Sequence, residues 1–398
     1  MFLKFGEVPV VVASTPHAAK EFMKTHDAIF ATRPLSLVTK VIIKNGPGIV
    51  WAPYGDHWRQ LRKICMVELL SAKRVQSFRC IGACHHGRRF KDRDTLLEYV
   101  DEAVRLAGGF TATDLFPSSL PARVLSRAEH KAEAYRQSLF KFMDGVVRQH
   151  QERRSSHEED RQEDLIDVLL RIKKEGKPQY PLTMSIIQIV LFDLIAGGIE
   201  TATTTLQWVM AELMRNPDII SKAQAEVRRV FMGQMKVTEE RLSELSYLQL
   251  IIKETLRLHV PGPLLIPREC QQQCQVLGYD VPKGTMVLVN AWAICRTPDH
   301  WDEPDTFNPE RFLGDTRDFK GNDFDFIPFG AGRRICPGMV FGLANIELCL
   351  ANLLFHFDWS LPEGTIHSEL DMTETMGITA RRKADLLLSA TLRIPQPS

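Results

Sequence analysis

The segment Phe329-Gly330-Ala331-Gly332-Arg333-Arg334-Ile335-Cys336-Pro337-Gly338 sets one cysteine in a glycine-hinged loop directly ahead of a long apolar stretch, Met339 to Phe357. Thiolate is the form of cysteine that binds metal, and a helix N-terminus stabilises it through unpaired N–H groups and the positive end of the helix dipole. Pro337 suits the first turn of such a helix, where a missing N–H costs nothing, and residues 339–357 run apolar at helical spacing. Cys336 therefore reads as an iron ligand. Gly330, Gly332 and Gly338 let the backbone fold tightly beneath a large flat group, and Arg334 supplies a cation for an acidic one. Haem has both a flat face and propionates. Two other readings compete: an inert buried thiol in a glycine-rich turn, and a phosphate cradle opened by Gly330-Ala331-Gly332. The cradle fails because its third glycine would fall at Ile335 and no strand with an acidic residue follows at the right distance.

A second constellation lies on a segment predicted to be helical from Leu182-Thr183 to Arg215, where Asn216-Pro217 stops it; at 1.5 Å per residue it spans about 50 Å. Its middle reads Ala196-Gly197-Gly198-Ile199-Glu200-Thr201. Adjacent glycines inside a helix cost roughly 1 kcal/mol each, which points to close approach of a flat ligand or another backbone. An acid and a hydroxyl follow, a pair able to pass protons, although a small-residue packing site with a surface carboxylate gives the same letters. Glu254 and Arg257 stand one helical turn apart, a spacing that in general marks a solvated pair of little energetic weight.

The loop resembles the cysteine-ligand loop of the cytochrome P-450 superfamily, with Phe329, Gly332, Arg334, Cys336 and Gly338 in the places of its pattern. The resemblance implies a mainly α fold with small β-sheets, in which haem b lies between a long distal helix and the helix that follows the cysteine. Gly197, Gly198, Glu200 and Thr201 resemble the family's distal segment, where the acid and the threonine deliver protons for oxygen activation; the next residue, often a hydroxyl in the family, is Ala202. Pro309-Glu310-Arg311-Phe312 supplies the arginine that completes a buried charge network with Glu254 and Arg257. Trp58 and Arg62, in Trp58-Arg59-Gln60-Leu61-Arg62, and Arg268 resemble propionate partners, and converge with Arg334 on the acidic haem edge. Analogy places Asn45 to Ala52, Phe192, Val260 to Ile266 and Thr375 to Ile378 along the substrate pocket, with Phe192, Ile199, Val260, Leu264 and Ile378 as lining residues. Similarity is closest to plant microsomal members that oxidise lipophilic specialised metabolites such as terpenoids, carried by Leu256-Arg257-Leu258-His259, Pro267-Arg268-Glu269-Cys270, Val289-Asn290-Ala291-Trp292-Ala293 and Phe324-Asp325-Phe326-Ile327-Pro328-Phe329. It implies a monooxygenase using O2 and NADPH electrons, delivered by an NADPH-dependent reductase at the cytosolic face of the endoplasmic reticulum membrane.

Composition agrees and adds little. With 398 residues, 44% apolar and 25% charged, the chain can bury a large core. A formal net charge of +1 gives no sign of a nucleic-acid partner. The eight cysteines form no CxxC pair and suggest a reducing compartment. Neither a secretory signal nor an apolar run long enough to span a bilayer is evident.

The elements that must position these residues are mostly helical. Phe2 to Ser14 reads as a hairpin, Ser14-Thr15-Pro16 as the cap of a helix through Lys24, and Asp56 as the start of another. Helices are expected at 91–106, 216–231 and 247–259, and strands at 275–277 and 286–290. His150 to Asp164, nearly all polar or charged, reads as a solvated linker. One domain spanning 1–398 is expected, without the family's N-terminal membrane anchor and without helices that would fall between about 80 and 90. Cys80, Cys84, His85 and His86 at that junction imitate a zinc site, for which no second ligand pair has suitable spacing. Two rival readings follow: a shortened, non-catalytic relative that binds haem poorly or not at all, and a member that rearranges peroxides without a reductase, which the Glu200–Thr201 pair argues against.

Overall fold

The computed structural model describes residues 1–71, 92–108, 111–155, 163–176, 178–375 and 377–393. The junction at 80–90, with Cys80, Cys84, His85 and His86, lies outside them. Helices dominate the described residues, accompanied by three small sheets. The largest sheet has four strands and joins the first thirteen residues to residues 268–289. β1 (Phe2–Phe5) and β2 (Val8–Ala13) form the antiparallel hairpin read from the sequence. β2 pairs in parallel with β6 (Met286–Val289), which pairs antiparallel with β3 (Arg268–Glu269), setting Arg268 opposite Val287. β4 (Cys274–Val276) meets β5 (Tyr279–Val281) across Leu277 and Gly278, both at positive φ, the geometry of a type I′ hairpin turn. β7 (Phe357–Ser360) pairs with β8 (Ser389–Leu392).

The long helix spans Met184–Arg215. It starts there because the Thr183 hydroxyl accepts the Ile186 N–H at 3.2 Å, and it stops because Pro217 opens the next helix, Pro217–Val230. It packs against the cysteine helix Met339–His356, the helix Ser246–Leu258 and the helix Ala128–Ser155. Two hydrophobic cores divide its length. Ile187, Val190 and Phe192 pack with Leu61, Leu139, Met143 and Val168. Val209 and Leu213 pack with Phe30, Ile251, Leu256, Phe326, Leu350 and Leu354. Between them the middle of the helix, Gly197 to Thr201, belongs to neither core, and Gly197 and Thr201 are exposed although both flanks are buried.

Several expectations need correction. Pro337 does not open the cysteine helix; Gly338 is its N-cap and Met339 its first residue, so Cys336 lies in the approach to the helix. The helix after Thr15 is α-helical only over Pro16–Lys20 and continues as a π-helical turn, Glu21–Thr25. His150 is part of a helix, not a linker: its ring lies 2.8 Å from Asp167 and 3.3 Å from Asp164, which caps the helix Leu165–Glu175. The run of charge there hid a local network that a helix N-terminus organises. Finally, Met184–Arg215 and Met339–His356 are long and apolar enough to cross a bilayer by length and composition. Both pack against other helices of the body.

Candidate active site

The cysteine loop is built by backbone contacts that few residues permit. Gly332 has φ +68°, and a Cβ there would lie 2.0 Å from the Met23 carbonyl oxygen and 2.8 Å from Asp27 Oδ2. The π-turn at Glu21–Thr25 puts Met23 against the loop, so glycine is required by contact as well as by conformation. The Cys336 N–H donates to the Phe329 carbonyl at 3.0 Å, closing the loop, while the Phe329 ring packs edge-on to Phe319 with centroids 5.5 Å apart. Burial pushes the Cys336 thiol above its ordinary value, opposed by the Gly338 N–H and the Arg62 guanidinium. The positive helix end alone therefore does not make a thiolate; metal coordination would displace the proton.

Cations gather beside this loop. Arg334 donates to the carbonyls of Ala31 at 2.6 Å, Ala52 at 2.5 Å and Ile49 at 3.4 Å, with its guanidinium 4.3 Å from the centre of the Trp58 ring. Burial and the neighbouring Arg268 and Arg62 press its pKa down to about 9. Arg268 bonds to Asp27 Oδ1 at 2.9 Å and to the Ala331 carbonyl at 2.8 Å. Arg62 donates to the Ile335 carbonyl at 2.5 Å. The Trp58 indole N–H, read as a propionate donor, is directed onto the Ile49 carbonyl at 3.1 Å. Sequence reasoning missed Arg33: it is buried, grips the Ile266 and Pro267 carbonyls at 2.6 and 2.9 Å, and leaves its Nε without a partner. Burial, with Arg334 and Arg268 nearby, lowers its pKa well below the ordinary value. Its only sequence signal was an arginine before a proline in Thr32-Arg33-Pro34.

Arg268 by contact and Arg334 by charge share one buried carboxylate, Asp27, which also holds Arg333 through its N–H at 2.7 Å and its guanidinium at 3.3 Å, while buried Arg33 stands beside Arg268 and Arg334 without a carboxylate of its own and half-buried Arg62 adds a further cation near Arg334. Buried charge of one sign calls for a counter-ion. A dianionic group beside a cysteine sulfur meets that requirement, so the donor set fits haem with its two propionates.

Above the loop, the long helix presents Gly197 to open space, whereas a Cβ on Gly198 would come within 3.8 Å of the Phe341 ring on the cysteine helix. Thr201 Oγ1 donates back to the Gly197 carbonyl at 2.7 Å. Glu200 is buried and held by Arg381 through Nε at 2.5 Å and through Nη2. Asp193, two turns earlier, accepts the Val50 N–H at 3.1 Å, and burial raises its carboxyl to about 7. Neither Arg381 nor Asp193 was singled out from sequence. Asp193 stood in an apolar run and Arg381 in a basic pair with no spacing cue.

Glu254, Arg257 and Arg311 come together beneath the site. Arg257 grips both Glu254 oxygens at 2.8 Å, with both side chains fully buried, and Arg311 Nε reaches Glu254 Oε1 at 2.9 Å. The remaining Arg257 donors reach the carbonyls of Cys295, Pro304 and Thr306. The residues read as pocket lining differ in their surroundings. Phe192 lines a partly open cavity with Trp51, Ile42, Leu106, Tyr135 and Asp193. Val260 is fully buried, Leu264 and Ile199 are exposed, and Ile378 is half-buried, all outside that lining.

A mainly helical body with a cysteine loop on one side of a long continuous helix and a buried arginine set at its edge defines the haem-thiolate class. Comparison with known proteins agrees. A family model for cytochrome P-450 matches residues 1–85 and 77–388, its two parts meeting at the junction described above. The chain belongs to the cytochrome P-450 family, and is an oxidoreductase of the monooxygenase type. It is 44% identical over 98% of its length to desmethyl-deoxy-podophyllotoxin synthase of Sinopodophyllum hexandrum, covering 84% of that protein. It is also 44% identical over 98% of its length to premnaspirodiene oxygenase of Hyoscyamus muticus, covering 85% of it. Among solved structures, a zebrafish cytochrome P-450 with progesterone aligns with a TM-score of 0.73 at 24% identity, over 99% of this chain and 96% of that one, which supports the fold.

Proposed function

We propose that this chain inserts one atom of O2 into an unactivated C–H or C=C bond of a small lipophilic substrate, a terpenoid or related specialised metabolite, while the other atom leaves as water. The observation that carries the reading is the buried arginine excess beside the Cys336 loop. Two electrons come from NADPH by way of a reductase at the cytosolic face of the endoplasmic reticulum, the setting of the plant microsomal members this chain resembles. The names of the relatives, desmethyl-deoxy-podophyllotoxin synthase and premnaspirodiene oxygenase, support a specialised metabolite as substrate.

Cys336 would hold the iron through its sulfur, and Arg62, Arg268 and Arg334 would hold the propionates, with the Trp58 ring stacked against the Arg334 guanidinium. Haem in that position supplies the oxygen activation, because a thiolate ligand pushes electron density that favours O–O cleavage. The protein's own contributions are separate. Phe329, Gly332 and Gly338 shape the loop that presents the sulfur, and Gly198 would leave room for the flat group beside the long helix. Thr201 and Glu200 hold and move protons on the distal side. The Glu254–Arg257–Arg311 network fixes the frame, and residues 1–398 act as one domain. Phe192 would exclude water from a substrate held in the cavity it lines.

A carbon monoxide difference spectrum of the reduced protein tests the reading. A red-shifted Soret band of thiolate-ligated haem is expected, lost in Cys336→His without loss of the fold. A histidine-type band in the unaltered protein, or no haem uptake at all, refutes it and favours the non-catalytic relative.

A further inference from the structure

Arg381 lies just beyond the segment Thr375 to Ile378 and has no place in the scheme above, yet its surroundings are highly determined. Its backbone is pinned on several sides: the Arg381 carbonyl accepts the Thr375 N–H at 2.8 Å and the Thr375 hydroxyl at 3.2 Å, and the Arg381 N–H donates to Thr379 at 3.1 Å. The preceding residue, Ala380, donates its N–H to the Pro261 carbonyl at 2.9 Å and accepts the Trp208 indole N–H at 2.8 Å. Trp208 belongs to the long helix, and Pro261 to the segment read as pocket wall. The guanidinium is therefore offered from a fixed base.

That guanidinium takes the Glu200 carboxylate in a two-point grip, Nε at 2.5 Å with Nη2 on the second oxygen. Nη2 also reaches Asp101 Oδ1 at 2.8 Å, on the helix Arg93–Ala107. Glu200 is 9% exposed in this pair, whereas Asp101 is 63% exposed. A buried carboxylate without a partner is costly to keep charged, and a planar bidentate arginine fixes its orientation as a single-point lysine would not. We propose that Arg381 is the positioning residue for Glu200: it fixes the acid beside Thr201 and, through Asp101, ties that position to the helix Arg93–Ala107. The proposal rests on the proton-transfer role given to Glu200 above.

The test uses the full chain, purified with its haem, as Arg381→Gln, Arg381→Lys, Glu200→Gln and the double variant Arg381→Gln/Glu200→Gln. Two quantities are read. A double-mutant cycle on the unfolding equilibrium is expected to show coupling of about tenfold between Arg381 and Glu200. In NADPH oxidation with a cytochrome P-450 reductase, the share of NADPH appearing as hydrogen peroxide is expected to rise several-fold in Arg381→Gln, at unchanged haem content, and to be partly restored in Arg381→Lys. A purely structural role would move stability without moving the peroxide share. Coupling near unity, or an unchanged peroxide share in Arg381→Gln, overturns the proposal. If Arg381→Gln fails to fold, Arg381→Lys alone is read in both assays, with a smaller effect of the same sign expected and none overturning it. Should the chain take up no haem, the proposed function fails first, while the coupling still reports on the ion pair.

Discussion

Replacing Gly332 by alanine tests whether the cysteine loop is set by a backbone contact. At φ +68° an L-residue carries about 1–2 kcal/mol of strain. The added Cβ would sit 2.0 Å from the Met23 carbonyl oxygen, so the loop or the π-turn has to move by about 1 Å, an overpacking cost of about 1–3 kcal/mol. The sum, about 2–5 kcal/mol, is a large part of the roughly 5–15 kcal/mol that holds a domain folded. The strain falls where Asp27 binds Arg268 and Arg333, so retained haem should drop with stability. Urea unfolding and haem bound per chain measure both. Gly145, inside the helix Ala128–Ser155 with nothing within 4 Å of its Cβ position, is the control, and alanine there should stabilise by about 1 kcal/mol. If Gly332→Ala matches Gly145→Ala in stability and haem content, the contact does not set the loop.

Arg257→Met should cost about 3–5 kcal/mol, since it strips a fully buried carboxylate of its two-point partner, and Arg257→Met/Glu254→Met should cost less than the sum of the single changes; additive losses in thermal unfolding count against the network. Asp193→Asn should change the pH profile of stability. The Asp193 carboxyl is raised to about 7 in the folded chain from about 4 when unfolded, so its protonated form favours the folded chain at low pH, and that contribution is lost as pH rises through this window. The variant, neutral throughout, should gain on the unaltered protein by at most about 4 kcal/mol between pH 4 and 7 and no further above it. A flat difference across that range refutes the assignment.

Much of the frame could be read from sequence because its signals are local. Thr183 and Pro217 bracket the long helix, Gly6-Glu7 turns the first hairpin, and Asp56 begins the helix carrying Trp58 and Arg62. What stayed hidden depends on closure between distant parts. Arg381 meets Glu200 across 181 residues and Arg33 meets Pro267 across 234, and no periodicity encodes either contact. Pro337 was misplaced by two residues because proline is equally at home just outside a helix. The fate of the Trp58 N–H depended on where the Ile49 carbonyl arrives, and His150 looked solvated because its partners are caps rather than a core.

Asp27 joins the first thirty residues of the chain to Arg333, 306 residues later. At synthesis rates of about 5–20 residues per second, the amino-terminal half of that edge waits roughly 15–60 s for its counterpart to leave the ribosome. Asp27 waits 241 residues for Arg268 and 306 for the Arg333 N–H, while Arg33 waits 233 and 234 residues for the Ile266 and Pro267 carbonyls it grips in the finished fold. The buried arginine edge is thereby completed only late in synthesis, and a ribosome that stalls before Arg333 releases a chain without it.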